Sequence, residues 1–220
     1  MLKIQKFDFL IAFYTTCVVL SELMGAKTFP IATIGDFHLN ATVIIFVLPL
    51  IYSINDIIVE VYGKERAKSV VRSSLFMIFF LLLFALLATH LPPSQRFLPT
   101  EGAYETIFST SARFAAASLI AFAISEFLDV FIFAKLRERL GKKRLWFRTN
   151  ASNFMSAFFD TMIFMTLAFY ALDQSFVSNF SFIIGIAIPY WLLRCFMSVI
   201  ETPLVYVGVR WLKNSKQEDK

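Results

Sequence analysis

Apolar residues fall in long stretches separated by short polar connections. Six stretches reach the ~20 residues that a bilayer crossing requires: 7–25, 40–62, 69–90, 109–134, 151–172 and 181–210. The last is long enough to tilt, or to bend at Pro189 or Pro203. Basic residues occupy alternate connections. Lys3 and Lys6 precede the first stretch; Lys64, Arg66, Lys68 and Arg72 follow the second. Seven more lie between Lys135 and Arg148, and Arg210, Lys213, Lys216 and Lys220 close the chain. The remaining connections hold Lys27 and Arg96. Because cytoplasmic loops collect Lys and Arg, this alternation predicts cytoplasmic N- and C-termini. The expected fold is an all-α integral membrane bundle of six transmembrane helices. It forms one transmembrane domain over residues 1–220, with a polar cytoplasmic tail at 211–220. Residues 7–24 span and lack a small-residue cleavage motif, so the first helix is expected to be retained rather than removed as a signal peptide.

The connection from Ala26 to Leu39 carries Thr28-Phe-Pro30 and Gly35-Asp36, turn chemistry suited to a segment folded back as a lid. The connection at 91–108, with Pro92-Pro93, Pro99 and Gly102, is expected to be irregular.

Composition excludes a soluble domain. Hydrophobic residues make up 58% of 220 positions and charged residues 17%, with 27 phenylalanines; soluble domains average about 45–50% and 25%. The net charge of +5 resides in loops and reads as topology, not as a nucleic-acid surface. Cys17 and Cys195 are far apart in apolar runs, and His38 and His90 are isolated, so neither a disulfide framework nor a metal cluster is expected. No nucleophile elbow, HExxH, P-loop or GxGxxG occurs. A carrier fits better than an enzyme, with no catalytic residue, no cofactor and no metal.

The candidate chemistry lies in polar residues inside apolar runs, which are functional sites by default. Tyr52, Asp56 and Glu60 are spaced by four and share a helix face, with Asn55 beside them. The alternative places Asp56 and Glu60 at the membrane surface, Glu60 pairing with Lys64. Further along lie Glu22, Arg113, Glu126, Asp129, Asn150, Asn153, Asp160, Arg194, Ser198 and Glu201. Asn153 and Asp160 share one face; Arg194, Ser198 and Glu201 share another. Acids outnumber bases, which suits a cationic or hydrogen-bond-donating solute, or acids that carry protons; structural pairing of Arg113 and Arg194 with acids is the plainer alternative. In depth, Asp56, Glu60, Asp129 and Glu201 belong to the cytoplasmic half, with Asp160 and Arg194 nearer the midplane. Cys17, Ser21 and Gly25 form a small-residue stripe for close helix packing, within the bundle or against a partner.

These residues carry a resemblance. Pro49-x-x-Tyr52-x-x-x-Asp56-x-x-x-Glu60-x-Tyr62-Gly63, Arg113-Phe-Ala with Phe122 and Asp129-Val-Phe-Ile-Phe133, Leu136-Arg137, Trp146, Asn153 and Asp160-Thr161 with Phe164 resemble the vitamin uptake transporter-like family of queuosine precursor transporters. The similarity runs from about residue 15 to 210. It implies uptake of a 7-deazaguanine such as preQ0, preQ1 or queuine across a bacterial or archaeal cytoplasmic (inner) membrane. It also implies a helix count similar to that of substrate-binding subunits of energy-coupling-factor importers. Such a ring offers N–H donors, an acceptor edge and a flat face. On this resemblance Tyr52, Asn55, Asp56, Asn153, Asp160 and Arg194 bind substrate, Asp56 and Asp160 accepting from the ring while Asn153 and Arg194 serve its carbonyl. Glu22, Glu60, Glu126, Asp129 and Glu201 gate or move protons. The partners are the lipid bilayer and the small-molecule solute, with a homo-oligomer or an energy-coupling module left open. Rival readings are a binding subunit for another vitamin and, further off, an intramembrane enzyme.

Overall fold

The computed structural model describes the backbone of residues 5–35, 37–140 and 145–218, and their side chains apart from those of 34, 37, 126–127, 129–130, 133–134, 136–140, 145–153, 197–202 and 214–218. Among the described residues the chain runs α1 (Lys6–Met24), β1 (Thr28–Ile34), β2 (Phe37–Thr42), a 3-10 turn (Val43–Phe46), α2 (Leu48–Tyr62), α3 (Lys64–His90), a second 3-10 turn (Leu98–Thr100), α4 (Glu101–Leu140), α5 (Leu145–Phe169) and α6 (Phe176–Glu218). Among the described residues, four helices are long and apolar enough to cross a bilayer: Lys6–Met24, Lys64–His90, Leu98–Ser125 and Phe176–Phe196. Phe154–Phe169 is a shorter apolar helix. This is a multi-pass membrane protein. Phe76, Phe79, Phe80 and Phe84 stand exposed along α3, as a lipid-facing side requires.

The second expected crossing is corrected. Residues 40–62 are not one helix: Asn40–Thr42 complete β2, a 3-10 turn follows, and helix begins at Leu48, with Pro49 in its first turn where a missing N–H costs nothing. At 15 residues, α2 is only about 22 Å long. The expected turn-rich lid is an antiparallel hairpin, Thr28 facing Thr42 and Ile34 facing Phe37, with a bulge between Pro30 and Ala32. Gly35 turns it at φ 61°, a value favouring glycine. The backbone N–H of Val43 closes the base on the carbonyl of Lys27 at 3.0 Å.

The hairpin lies against α6, and Gly185 permits the approach: a Cβ there would stand 2.5 Å from the carbonyl oxygen of His38. Both prolines of α6 sit within one continuous helix. Gly63, at φ 87°, joins α2 directly to α3; its N–H meets Val59 O at 2.9 Å and its carbonyl accepts from Ala67 N at 3.3 Å.

Three apolar clusters hold the bundle. Leu10, Tyr14, Ile54, Ile57, Ile58, Ala67, Val70 and Leu212 join the starts of α1 and α3 to the ends of α2 and α6. Met165, Ile183, Ile186 and Ala187 join α5 to α6, and Phe114, Ala117 and Ala168 join α4 to α5. Among the described residues Arg113 forms no acid pair: its guanidinium donates to the carbonyls of Leu167 at 2.8 Å and Tyr170 at 2.6 Å, capping the C-terminal end of α5.

Candidate functional site

A cavity of about 230 Å³ opens between α1, α2, α3, α4, α5 and α6. Val18 and Ile51 contribute to its wall and also pack on the first apolar cluster, which therefore closes its floor. Two polar groups of different character line it, together with aromatic rings.

The first belongs to α5 and α6. Asp160 lines the cavity, and Arg194, set behind it, donates Nη1 to Asp160 Oδ2 as an ion pair. The same nitrogen reaches Thr161 Oγ1 at 3.4 Å. The guanidinium also stands over the Tyr52 ring, 5.8 Å from its centroid. With both side chains only about a quarter or less exposed (22% and 24%), mutual pairing is what keeps two charges in a low-dielectric wall. The second belongs to α1 and α4. Glu22 is 6% exposed, and the hydroxyl of Ser118 donates to its Oε2 at 3.0 Å. Nearby, the hydroxyl of Ser111 donates to the carbonyl of Leu23 at 3.1 Å, tying the same two helices.

Tyr52, Phe122, Phe164 and Tyr190 also line the cavity. Phe164 is fixed edge-on to Phe114, centroids 5.6 Å apart. Tyr190 also walls a small void under the base of the hairpin, shared with Thr42 and Pro189. The buried Thr42 hydroxyl has no partner among the described residues. Aromatic rings and two carboxyl groups on one cavity wall are the chemistry that meets a flat solute of less than drug size.

The structure brings Tyr52, Asp160 and Arg194 together. It adds Glu22, Ser118, Thr161 and Tyr190 to the same cavity. Asn55 is half-buried and Asp56 exposed, and neither lines the cavity. The Tyr52–Asp56–Glu60 face is real as a helix face, but only Tyr52 reaches the cavity wall. Glu60 pairs with Lys213 at 3.8 Å, not with Lys64; both partners are exposed. The stripe of Cys17, Ser21 and Gly25 is turned inward: Cys17 is buried, Ser21 lines the cavity and Gly25 packs on Ile44. Glu126, Asp129, Asn153 and Glu201, with Asn150 and Ser198, have side chains outside the described residues. Tyr190 was detectable by spacing, four residues ahead of Arg194 on the same helix face.

The family model described as "Putative vitamin uptake transporter" matches residues 41–208. A "Probable queuosine precursor transporter" from Bacillus subtilis is 30% identical over 191 residues, 85% of this chain and 80% of the relative. The "Queuosine precursor transporter" of Escherichia coli is 27% identical, covering 68% of this chain and 63% of the relative. A "Probable queuosine precursor transporter" from Haemophilus influenzae is 26% identical over 66% and 59% respectively. No solved structure matches the chain.

Proposed function

The chain belongs to the vitamin uptake transporter family, and from that premise we propose that it imports a queuosine precursor, a 7-deazaguanine such as preQ0 or preQ1, across the cytoplasmic membrane of a bacterium or archaeon. The observation that supports this reading is the aromatic cavity whose inner acid, Asp160, is held by Arg194. A 7-deazaguanine carries adjacent N–H donors at N1 and the 2-amino group. An ionised carboxylate is the complementary acceptor. Asp160 keeps Oδ1 for the solute while Oδ2 serves Arg194. Tyr52, Phe122, Phe164 and Tyr190 supply the flat contacts. Asn153, one turn-pair ahead of Asp160 on α5, is assigned to the ring carbonyl.

In this reading six segments cross the membrane, both termini are cytoplasmic, and the floor cluster of Leu10, Tyr14, Ile54, Ile57 and Ile58 is the inner barrier. Asn55, Asp56, Glu60, Glu126, Asp129 and Glu201 then belong to the route beyond that barrier, where they gate or relay protons. The inward-turned stripe on α1 gives no support to a docking surface for an energy-coupling module there.

The test is uptake of labelled preQ0 and preQ1 into proteoliposomes containing this protein alone, with and without an imposed proton gradient. Accumulation is expected, and Asp160→Asn should reduce it at least tenfold in a protein that still melts cooperatively. Wild-type protein that neither binds nor moves either base would overturn the reading. Normal uptake by stable Asp160→Asn would remove Asp160 from the site.

A further inference from the structure

The charges around the cavity do not balance. Among the described residues that line it, the carboxylic acids are Glu22 and Asp160, and no Lys, Arg or His belongs to the wall. Arg194 answers Asp160 from behind the wall. Glu22 has one hydrogen-bond partner among the described residues, the neutral hydroxyl of Ser118 at 3.0 Å. A carboxylate buried to 6% exposure with a single hydroxyl donor is stable as an ion only when a cation joins it. Among the described residues, the α1–α4 wall therefore offers no positive charge to an ionised Glu22.

The two ends also differ in what they ask of a solute. At the α5–α6 end the acid is already neutralised as a pair, so it asks for neutral N–H donors. At the α1–α4 end the acid asks for a charge. A 7-deazaguanine has both features when its 7-substituent is a protonated aminomethyl arm. The pyrimidine edge carries the neutral donors, and the arm projects from the five-membered ring. A nitrile at the same position supplies no proton and no charge, and would leave Glu22 Oε1 desolvated with no donor of its own.

We propose that Glu22 is a specificity-determining residue that selects 7-deazaguanines bearing a cationic 7-substituent, its carboxylate pairing with the ammonium group of the arm. The inference rests on the 7-deazaguanine reading of the same cavity and adds the choice within that class. Ser118 positions Glu22 by holding Oε2, which leaves Oε1 for the ammonium.

The experiment measures equilibrium binding of preQ1, preQ0 and 7-methyl-7-deazaguanine to the full-length protein in nanodiscs. Wild-type protein is expected to bind preQ1 at least tenfold more tightly than either uncharged base. Glu22→Gln, which keeps the shape and the Ser118 contact, should bring the preQ1-to-preQ0 ratio close to one. Equal wild-type affinities, a preference for preQ0, or a preference for preQ1 that survives in Glu22→Gln would overturn the assignment while leaving the 7-deazaguanine reading in place. Binding of none of the three bases would instead overturn that reading and this inference with it. The comparison of preQ1 with the 7-methyl base uses wild-type protein, so the test stands even where the variant does not fold.

Discussion

Substituting Gly185 by alanine tests how closely the hairpin is fastened to the bundle. The new Cβ would lie 2.5 Å from the carbonyl oxygen of His38, 3.7 Å from its carbon and 3.9 Å from Asn40 Nδ2. Carbon–oxygen contacts settle near ~3.3 Å, so about 0.8 Å must be found along that line. Neither side yields easily. His38 is held in the hairpin register opposite Thr33, and Gly185 is a buried residue inside α6. Overpacking of this kind costs on the order of 1–3 kcal/mol, and at ~2–4 °C per kcal/mol for a chain of this length the melting temperature should fall by about 2–12 °C. The assay is a thermal melt in nanodiscs with hydrogen exchange of the β2 amides, which should lose protection. Gly208→Ala is the control. There the added Cβ would meet Ile57 Cδ1 at 2.2 Å and Cγ1 at 2.9 Å, nominally tighter, but the obstacle is a side chain and not backbone. Gly185→Ala should therefore be the more costly of the two. A Gly185→Ala protein as stable as wild type, or more stable than Gly208→Ala, would refute the close backbone approach between β2 and α6.

Arg113→Ala should lower stability by about 1.5–3 kcal/mol, because it removes charged donors from the last carbonyls of α5; Arg113→Lys should recover only part of this in a melt, since one ammonium cannot reproduce the two-pronged contact. Asn179 accepts from the backbone N–H of Ala171 at 2.8 Å and donates to the carbonyls of Ala171, Gln174 and Ser175. Asn179→Asp should therefore be more destabilising than Asn179→Ala, because it turns a buried carboxylate toward three carbonyl oxygens; the order of their melting temperatures decides it.

Four of the six expected crossings meet helices that are long and apolar enough to span among the described residues, because a long apolar run has one low-energy form in lipid. The second run misled for a physical reason: Ala41 to Leu48 is too short and too uniformly apolar for period to separate strand from helix. Two local signals marked the boundary, the β-branched Val43-Ile44-Ile45 and the Pro49 that opens α2. The Gly35-Asp36 pair between Thr- and Ile-rich flanks was likewise a hairpin signal, not simply a turn. The site divides similarly. Period four drew the eye to Tyr52, Asp56 and Glu60, and it does place them on one face. It cannot say which part of that face reaches a cavity. Glu22 with Ser118 and Asp160 with Arg194 are partners across 96 and 34 residues, and no local pattern encodes such pairs.

The single residue between α2 and α3 has a consequence for angular phase. Most connections absorb added residues as slack, but Gly63 ends one helix and begins the next, with its N–H and carbonyl both engaged. A residue added there has no loop to enter and must extend a helix, turning everything on one side of it by about 100°. Tyr52, eleven positions back along α2, would swing out of the cavity wall while α3 kept its place. The azimuth of an aromatic wall near one end of the bundle is thus set by a one-residue joint near the other. Chain length at that joint is a determinant of the site, as much as any side chain that lines it.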